Sequence, residues 1–269
     1  MVAGSGFPSG WIIPDWPVAD RVGAVFTTRE GGVSLPPFDA FNLGDHVGDD
    51  EAAVTANRRM LGERVGRRPV FLRQVHGRRV AVLEACTPDG LEADACLSDS
   101  PLVACTVMVA DCLPVLLADV RGHAVAAAHA GWRGLADGVL EAGIAALRTL
   151  VDRDRAGAAA GGESDIVAWL GPCIGPQAFE VGEDVRQRFV LADAAAEPAF
   201  RPAGQGKYLA DLPWLARRRL QAAGVSGIWG NDGGAPWCTF SQPSRFFSHR
   251  RDARLLGSSG RMAACVWLR

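Results

Sequence analysis

The chain has 269 residues, of which 48% are hydrophobic and 22% are charged, and its formal net charge at pH 7 is −2. This composition is typical of a globular protein and excludes extensive disorder. The balanced charge excludes a general electrostatic attraction to nucleic acid or to an anionic membrane. At roughly 150 residues per domain, the length allows one large domain or two small ones.

The first half of the chain is predicted to contain short strands and one helix. The helix is predicted over Asp49–Arg64, because its apolar residues have helical spacing and acidic residues at its start suit the helix dipole. Before it, residues 29–48 are predicted to form a turn-rich loop, and a loop of this length is uncommon unless it has a function. Strands are predicted over Val22–Thr28, Val70–His76, Arg79–Leu83, Leu102–Val109, Pro114–Val120 and Ala124–His129. The last three are rich in Val, Ala and Leu, so we expect central strands buried on both faces.

The second half is predicted to be mixed in the same way. A helix is predicted over Leu135–Val151, whose apolar residues lie on one helical face. The low-complexity segment AGAAAGGES, residues 156–164, is predicted to connect this helix to the next strand. Further strands are predicted over Ile166–Leu170, Ser226–Trp229 and Met262–Leu268, and further helices over residues 183–192 and 211–223. Because strands and helices mix without strict alternation, we predict an α/β domain with mixed β-sheets.

The N-terminus and the cysteines predict a cytoplasmic protein. The first residues, MVAGSGFPSGW, lack the charged and apolar regions of a signal peptide. No apolar stretch reaches the roughly 18 residues of a membrane span. The 7 cysteines are odd in number and include no Cys-x-x-Cys motif, so we expect reduced thiols. Residues 1–10, rich in Gly, Ser and Pro, are expected to be flexible, and residues 11–269 to form one domain.

Asp111 and Cys112 interrupt two apolar runs. Burying an unpaired carboxylate costs several kcal/mol, so a buried aspartate is paired or is placed at a strand end for use. Pro114 cannot donate a ladder hydrogen bond, so the chain breaks or turns there. Two interpretations remain open. Asp111 and Cys112 lie either at a strand end facing a cleft or in a tight turn with a buried thiol.

Two histidines are also expected at strand ends. His129 starts the segment His-Ala-Gly-Trp-Arg-Gly before a predicted helix, where glycines allow the backbone to turn sharply and to approach a ligand closely. His76 is followed by glycine at the end of another strand. If the strands are neighbours, His76, Cys112 and His129 come together. Two imidazoles and a thiolate suit zinc and leave its fourth coordination position open.

The same residues permit a different chemistry. Cys112 is then a nucleophile, with His129 as its base and a carboxylate orienting the imidazole. A zinc-bound thiolate is a poor nucleophile, so the two interpretations compete for the same atoms.

Six segments resemble the laccase-domain family, whose members are also described as multicopper polyphenol oxidases and as purine nucleoside phosphorylases. The resemblance extends from about residue 22 to the C-terminus. The segments are Asn42-Leu43-Gly44-Asp45-His46-Val47-Gly48-Asp49, Gln74-Val75-His76-Gly77, Ala110-Asp111-Cys112-Leu113-Pro114, His129-Ala130-Gly131-Trp132-Arg133-Gly134, Gly171-Pro172-Cys173-Ile174-Gly175 with Phe179-Glu180-Val181, and Phe247-Ser248-His249-Arg250-Arg251-Asp252.

This resemblance implies a single layered α/β domain with mixed β-sheets flanked by helices. It implies a zinc ion held by His76, Cys112 and His129, with copper as the alternative metal. It also implies phosphorolysis of adenosine, inosine and methylthioadenosine, and hydrolytic deamination of adenosine. The expected partners are therefore a purine nucleoside and phosphate, with no nucleic acid and no membrane. Whether the chain is a monomer or a homodimer stays open.

Apart from Arg29, the remaining candidate residues lie in the same segments. Cys112, Asp111 and His129 are the candidate catalytic residues, and Asp111 transfers a proton if burial raises its pKa. Lys207 is the only lysine among 28 basic residues, so an arginine is weak evidence of anion recognition here. The candidates to hold phosphate in bidentate fashion are Arg29, Arg133 and Arg250. The candidates to bind the rest of the substrate are Asn42, His46 and Gln74.

Three other functions are alternatives to a purine nucleoside phosphorylase. The first is a cysteine hydrolase with Cys112 as nucleophile, acting on amides of cell-wall precursors. The second is a copper-binding polyphenol oxidase. The chain has 5 histidines and no His-x-His pair, which is too few to build a blue-copper site together with a trinuclear copper centre. The third is a zinc-stabilised binding module, which the open coordination position disfavours because structural zinc sites are usually closed.

Overall fold

The computed structural model describes residues 6–155 and 165–269. The predicted connector, residues 156–164, and the first five residues of the segment expected to be flexible lie outside the described residues. In chain order the strands are β1 (Val22–Phe26), β2 (Arg68–Phe71), β3 (Val80–Val82), β4 (Ala95–Ser98), β5 (Val103–Val109), β6 (Leu113–Asp119), β7 (Val125–Ala130), β8 (Ile166–Leu170), β9 (Glu180–Gly182), β10 (Phe200–Gly204), β11 (Lys207–Ala210), β12 (Gly227–Gly230) and β13 (Met262–Leu268). The helices are α1 (Glu51–Val65), α2 (Trp132–Asp137), α3 (Val139–Arg155), α4 (Glu183–Val190), α5 (Leu212–Ala222) and α6 (His249–Leu256), with short 3-10 turns at Ala194–Ala199 and Ala235–Trp237.

Two mixed sheets form the centre of the fold. One has four strands in the order β1-β13-β5-β2, and the other has six in the order β12-β8-β6-β7-β4-β3. The pairs β2/β5, β3/β4 and β8/β12 are parallel, and the other pairs within these two sheets are antiparallel. A third, three-stranded sheet is built from β10, β11 and β9. The predicted fold class, α/β with mixed sheets flanked by helices, is confirmed.

The layers follow from apolar residues on both faces of the central strands. Along β5, alternate side chains belong to different cores: Cys105 and Val107 pack between the two sheets, whereas Ala104 and Met108 pack toward α1. Along β6, Leu116 faces the four-stranded sheet and Leu117 faces α3 and α5. The sheets are therefore stacked, with α1 outside one and α3 and α5 outside the other. None of the helices in the described ranges is long and apolar enough to cross a membrane.

Several predicted elements have the expected bounds. Ile166–Leu170 and Met262–Leu268 match β8 and β13 residue for residue. The predicted helix Leu135–Val151 is wrong in its continuity, because the chain turns at Gly138 with a φ of 94° and divides it into α2 and α3. Its apolar positions are nevertheless buried, so the spacing identified the correct face.

The predicted strand Val70–His76 is also wrong at its end. Strand β2 stops at Phe71, and His76 has a φ of 61° in an irregular segment beyond it. Three further features had no predicted counterpart: strand β4, the three-stranded sheet and helix α6. Helix α6 buries none of its residues, so it has no apolar face for a pattern to reveal.

The loop of residues 29–48 is attached to α1 by one buried side chain. Asn57 is fully buried on α1, and its amide makes four hydrogen bonds to the loop. Its partners are Val33 N at 3.0 Å, Ser34 Oγ at 3.0 Å, Ala40 O at 3.2 Å and Asn42 O at 2.9 Å. Asn57 therefore connects four separate residues of this long loop to the helix.

Replacing Asn57 by alanine should lower the free energy of unfolding by about 3 kcal/mol, because several buried polar groups lose their partner at once. Urea unfolding followed by circular dichroism measures this change. Thr55→Ala is the matched control, since Thr55 is exposed on the same helix. Equal losses in the two variants would contradict the role assigned to Asn57.

Candidate active site

Strand ends from both central sheets meet at one edge of the fold and border a cavity of about 730 Å³. Strands β2, β5 and β7 end there, and β6 and β13 begin there. Histidines and arginines are prominent among its lining residues, and they are His46, His76, His129, His249, Arg58, Arg73, Arg133 and Arg261.

His76, Cys112 and His129 form a cluster on the cavity wall. Their ligand atoms all lie within 4.8 Å of one another, and Cys112 Sγ is 3.7 Å from His76 Nε2. Cys112 precedes β6, and His129 lies on β7 opposite Pro114. Gly131 completes the arrangement, because a Cβ atom there would lie 2.8 Å from His76 Cδ2 and 3.0 Å from Cys112 Sγ. A side chain at this position would therefore collide with the cluster, and glycine leaves the room that His76 and Cys112 occupy.

A buried aspartate that was not among the predicted site residues orders the cluster. Asp94 accepts hydrogen bonds from the backbone N–H groups of Val75 (3.1 Å), His76 (2.8 Å) and Gly77 (2.7 Å). It also accepts one from His129 Nδ1 at 2.9 Å. With Nδ1 so engaged, Nε2 of His129 is the nitrogen available to the cluster. The available signal was an aspartate between two alanines at the start of a buried strand.

The charges of the cluster reinforce one another. Burial by itself would raise the pKa of Cys112, but the charge of His129 and hydrogen bonds from both histidines lower it to about 6. Burial likewise opposes protonation of His129, but the Cys112 thiolate and the hydrogen bond to Asp94 raise its pKa to about 9. Burial by itself would also raise the pKa of Asp94, but hydrogen bonds from His129 and from the backbone lower it. The metal-free cluster therefore favours a thiolate beside an imidazolium at neutral pH.

Asp111 lies behind the cavity wall and holds neighbouring segments together. Its carboxylate accepts hydrogen bonds from Thr239 Oγ1 (2.6 Å), Ser248 Oγ (3.1 Å) and the Arg250 N–H (2.6 Å). The residue has a φ of 87°, a left-handed conformation that aspartate tolerates better than most residues. Both carboxylate oxygens are engaged, so the side chain fixes the turn that carries Cys112.

Asp111→Ala should therefore cost about 3 kcal/mol or more of folding free energy, because three donors lose their acceptor and alanine is strained at this φ. Denaturant unfolding measures the loss. Asp111→Asn separates this role from proton transfer, since it keeps the shape and the tolerance of positive φ. A variant Asp111→Asn that unfolds like the parent but has no turnover would assign proton transfer to Asp111.

Three of the candidate substrate-binding residues line the cavity. His46 and Arg133 are exposed to it, and Arg133 packs its guanidinium 4.4 Å from the ring centroid of Trp132. Gln74 lines it as well, but its amide is paired with the backbone of Met108: Nε2 donates to the carbonyl at 2.8 Å and Oε1 accepts from the N–H at 2.7 Å. The Gln74 side chain thus continues the hydrogen-bond ladder between β2 and β5.

The other three candidates have partners elsewhere. Arg29 lies in a separate depression, donates to Asp39 O and Pro243 O and stacks on Phe247. Arg250 donates through Nη1 to Glu180 O at 2.9 Å. Asn42 is fully buried, and its amide binds backbone and carboxylate groups.

Arg58, Arg261 and His249 line the cavity without having been singled out. His249 lies in a segment that carried the family resemblance, which was a usable signal. The two arginines had no local signal, because arginine supplies nearly all the basic residues of this chain.

The donor set of the cluster fits a metal ion. Two imidazoles and a thiolate are ligands that zinc prefers, and three protein ligands leave a position open toward the cavity. A His₂Cys set also binds copper in electron-transfer sites. In the described ranges, no second group of three or more His, Cys, Asp or Glu side chains converges in this way.

Comparison with known proteins covers nearly the whole chain. The family model described as "Multi-copper polyphenol oxidoreductase laccase" matches residues 23–269. A Pseudomonas aeruginosa protein named purine nucleoside phosphorylase is 52% identical over 261 residues, which span 97% of this chain and 99% of that protein. An Escherichia coli K12 protein with the same name is 46% identical over 259 residues, 96% of this chain and 98% of that protein.

A solved structure agrees with these matches. The crystal structure of a Neisseria meningitidis protein superposes with a TM-score of 0.84 at 44% sequence identity. The superposition covers 97% of this chain and 99% of that one.

Proposed function

Since the chain belongs to the laccase-domain family, we propose that it is a purine nucleoside phosphorylase that cleaves adenosine, inosine and methylthioadenosine and also deaminates adenosine. The relatives' name supports the reaction class, and the cavity supports its chemistry. One observation carries the proposal: the His76, Cys112 and His129 cluster opens into a 730 Å³ cavity that arginines and further histidines line.

Phosphorolysis breaks the bond between C1′ of the ribose and the purine nitrogen, and forms a bond from C1′ to a phosphate oxygen. The ribose passes through an oxocarbenium-like state, and the purine leaves with a proton. Cavity arginines bind and orient the phosphate dianion. His46 and His249 lie in the cavity, where an imidazole can give a proton to the leaving purine.

We propose zinc as the resident metal, held by His76, Cys112 and His129. When bound, zinc supplies Lewis-acid polarisation and lowers the pKa of water, which suits deamination. Asp94 keeps the His129 ring in the orientation that ligation requires. Copper is the alternative occupant, and metal analysis of purified protein distinguishes the two.

The test is turnover of adenosine and of inosine by the zinc-loaded protein, with and without phosphate. Phosphate-dependent release of adenine and hypoxanthine together with ribose 1-phosphate supports phosphorolysis. Release of inosine and ammonia from adenosine without phosphate supports deamination. A folded, zinc-loaded protein that releases neither purine nor inosine would refute the proposal.

A cysteine hydrolase is the second candidate, because Asp94, His129 and Cys112 are arranged as an orienting carboxylate, a base and a nucleophile. The two functions respond differently to thiol alkylation. Metal-free protein that is fully active, and that loses activity on stoichiometric alkylation of Cys112, supports the hydrolase. If alkylation abolishes activity only when the metal has first been removed, the result supports the zinc enzyme. Oxidation of a phenol by copper-loaded protein would instead support the oxidase.

A further inference from the structure

Arg261 differs from the other arginines of the cavity in what its guanidinium contacts. Nη1 donates to Ser259 O at 2.7 Å and to Gly260 O at 3.2 Å. Nε and Nη2 have no hydrogen-bond acceptor among the described residues. These two nitrogens form the edge of a guanidinium that binds two oxygens of a phosphate at once. That edge is therefore available to a ligand in the cavity.

Two of the other cavity arginines, Arg58 and Arg73, are already engaged by carboxylates or carbonyls. Arg58 donates from Nε to Leu43 O at 2.9 Å and pairs with Asp45 at 3.2 Å. Arg73 pairs with Glu92 at 2.5 Å. No carboxylate in the described residues lies within ion-pair distance of Arg261, and the charges of Cys112 and Asp111 act on it without a hydrogen bond to its guanidinium. Arg133 also lacks a described carboxylate partner, but its side chain is exposed on α2.

The segment Asn42–Gly44 holds Arg261 in place from two sides. The Arg261 N–H donates to Asn42 Oδ1 at 2.8 Å, and the Leu43 N–H donates to the Arg261 carbonyl at 3.0 Å. Gly44 leaves the room that the side chain occupies, because a Cβ at this position would lie 2.7 Å from Arg261 Cγ. A buried asparagine and a glycine in a segment that carries the family resemblance therefore support a residue of the cavity wall.

We infer that Arg261 is the residue that binds inorganic phosphate in the cavity, and that Asn42–Gly44 positions it for that task. The inference rests on the proposed function, which requires a bound phosphate. It assigns the phosphate to a residue outside the three predicted candidates, Arg29, Arg133 and Arg250. The same chemistry would recognise the phosphate group of a nucleotide, so the experiment includes both ligands.

The experiment measures binding of inorganic phosphate alone to the metal-loaded protein by isothermal titration calorimetry. Arg261→Met should weaken binding by about 10- to 100-fold, which corresponds to the loss of a charged bidentate contact. Arg261→Lys should recover part of the affinity, because lysine restores the positive charge but not the two parallel N–H donors of the guanidinium. Gly44→Ala retains the guanidinium but displaces it, and should weaken phosphate binding by several fold. Arg148→Met on α3, whose guanidinium donates to Gly224 O, is the control and should bind phosphate like the parent.

Steady-state kinetics give a second readout. In Arg261→Met the KM for phosphate should rise by a similar factor, while the KM for nucleoside changes by less than about twofold. Metal content and melting temperature, measured for each variant, exclude loss of folding as the cause. If Arg261→Met is unfolded, phosphate binding by Gly44→Ala alone tests the inference.

The outcomes separate this inference from the proposed function. Phosphate binding that depends on Arg261 in a protein without nucleoside turnover would refute the function and retain the site. Phosphorolysis with an unchanged KM for phosphate in Arg261→Met would retain the function and overturn the inference. Two binding results also overturn it: no measurable phosphate binding by the parent protein, and an Arg261-dependent affinity confined to adenosine 5′-monophosphate.

Discussion

Cys112→Ala should lose both the bound metal and turnover, with metal affinity reduced by more than about 100-fold. The expected loss of metal affinity follows from the coordination chemistry. Loss of a residue that only orients a ligand already costs about 10- to 100-fold in affinity, and Cys112 is itself the thiolate ligand of the proposed site. The remaining His76 and His129 are too few to hold zinc in the way that a three-residue site does.

Metal content per chain after dialysis, together with competition by a chromophoric chelator, measures this effect. Cys86→Ala is the matched control, since Cys86 is an exposed free thiol. A Cys112→Ala protein that keeps one metal ion per chain would contradict the proposed ligand set. If that protein also lost turnover, Cys112 would be assigned to nucleophilic chemistry and the cysteine hydrolase would become the leading function.

Asp94→Asn should lower metal affinity by about 10- to 100-fold while Cys112 and both histidines remain in place. An amide keeps the volume of the carboxylate, but it removes the negative charge and one acceptor. The His129 Nδ1 proton and the N–H groups of His76 and Gly77 then compete for the remaining oxygen. The ring of His129 is therefore held less firmly, and its ligating nitrogen becomes less basic. Chelator competition gives the affinity, and chemical unfolding gives the accompanying loss of stability.

A second buried aspartate offers a matched control for this prediction. Asp119 is fully buried at the opposite end of β6 and contacts His123 Nδ1 at 2.6 Å. Asp119→Asn disturbs a pair of a buried aspartate and a partly exposed histidine far from the cluster. It should reduce stability without reducing metal affinity. Equal metal affinity in the two variants would show that Asp94 acts on the fold alone.

The location of the cluster was predictable because it depends on strand ends. Cys112 follows one apolar strand and precedes another, and His129 lies at the end of a third. Polar residues at such places are costly to bury without a partner, so their presence is informative. Asp94 escaped the same argument because its short strand, β4, was not predicted. Its partners are distant in sequence, and they become neighbours only when β4 pairs with β7.

The choice among arginines lay beyond the sequence. Arg29 and Arg250 are two of the arginines predicted to hold phosphate, yet both donate to backbone carbonyls away from the cavity. Arg261 immediately precedes β13 and lines the cavity, because β13 runs antiparallel to β5 and begins where β5 ends. A guanidinium has the same local signature in all three places. Its role depends on which acceptors the fold brings within reach.

The sequence by itself determined the class of the fold, its buried strands and the identity of the metal-ligand candidates, because these depend on local apolar patterns and on the intrinsic chemistry of histidine and cysteine. The tertiary structure alone decided three further points: the division of one expected helix at Gly138, the orientation of His129 by Asp94, and the free edge of Arg261. Each of these is a relation between groups distant in sequence or a backbone conformation set by packing. These contacts stabilise the protein only after the sheets have assembled, so no local pattern of residues predicts them.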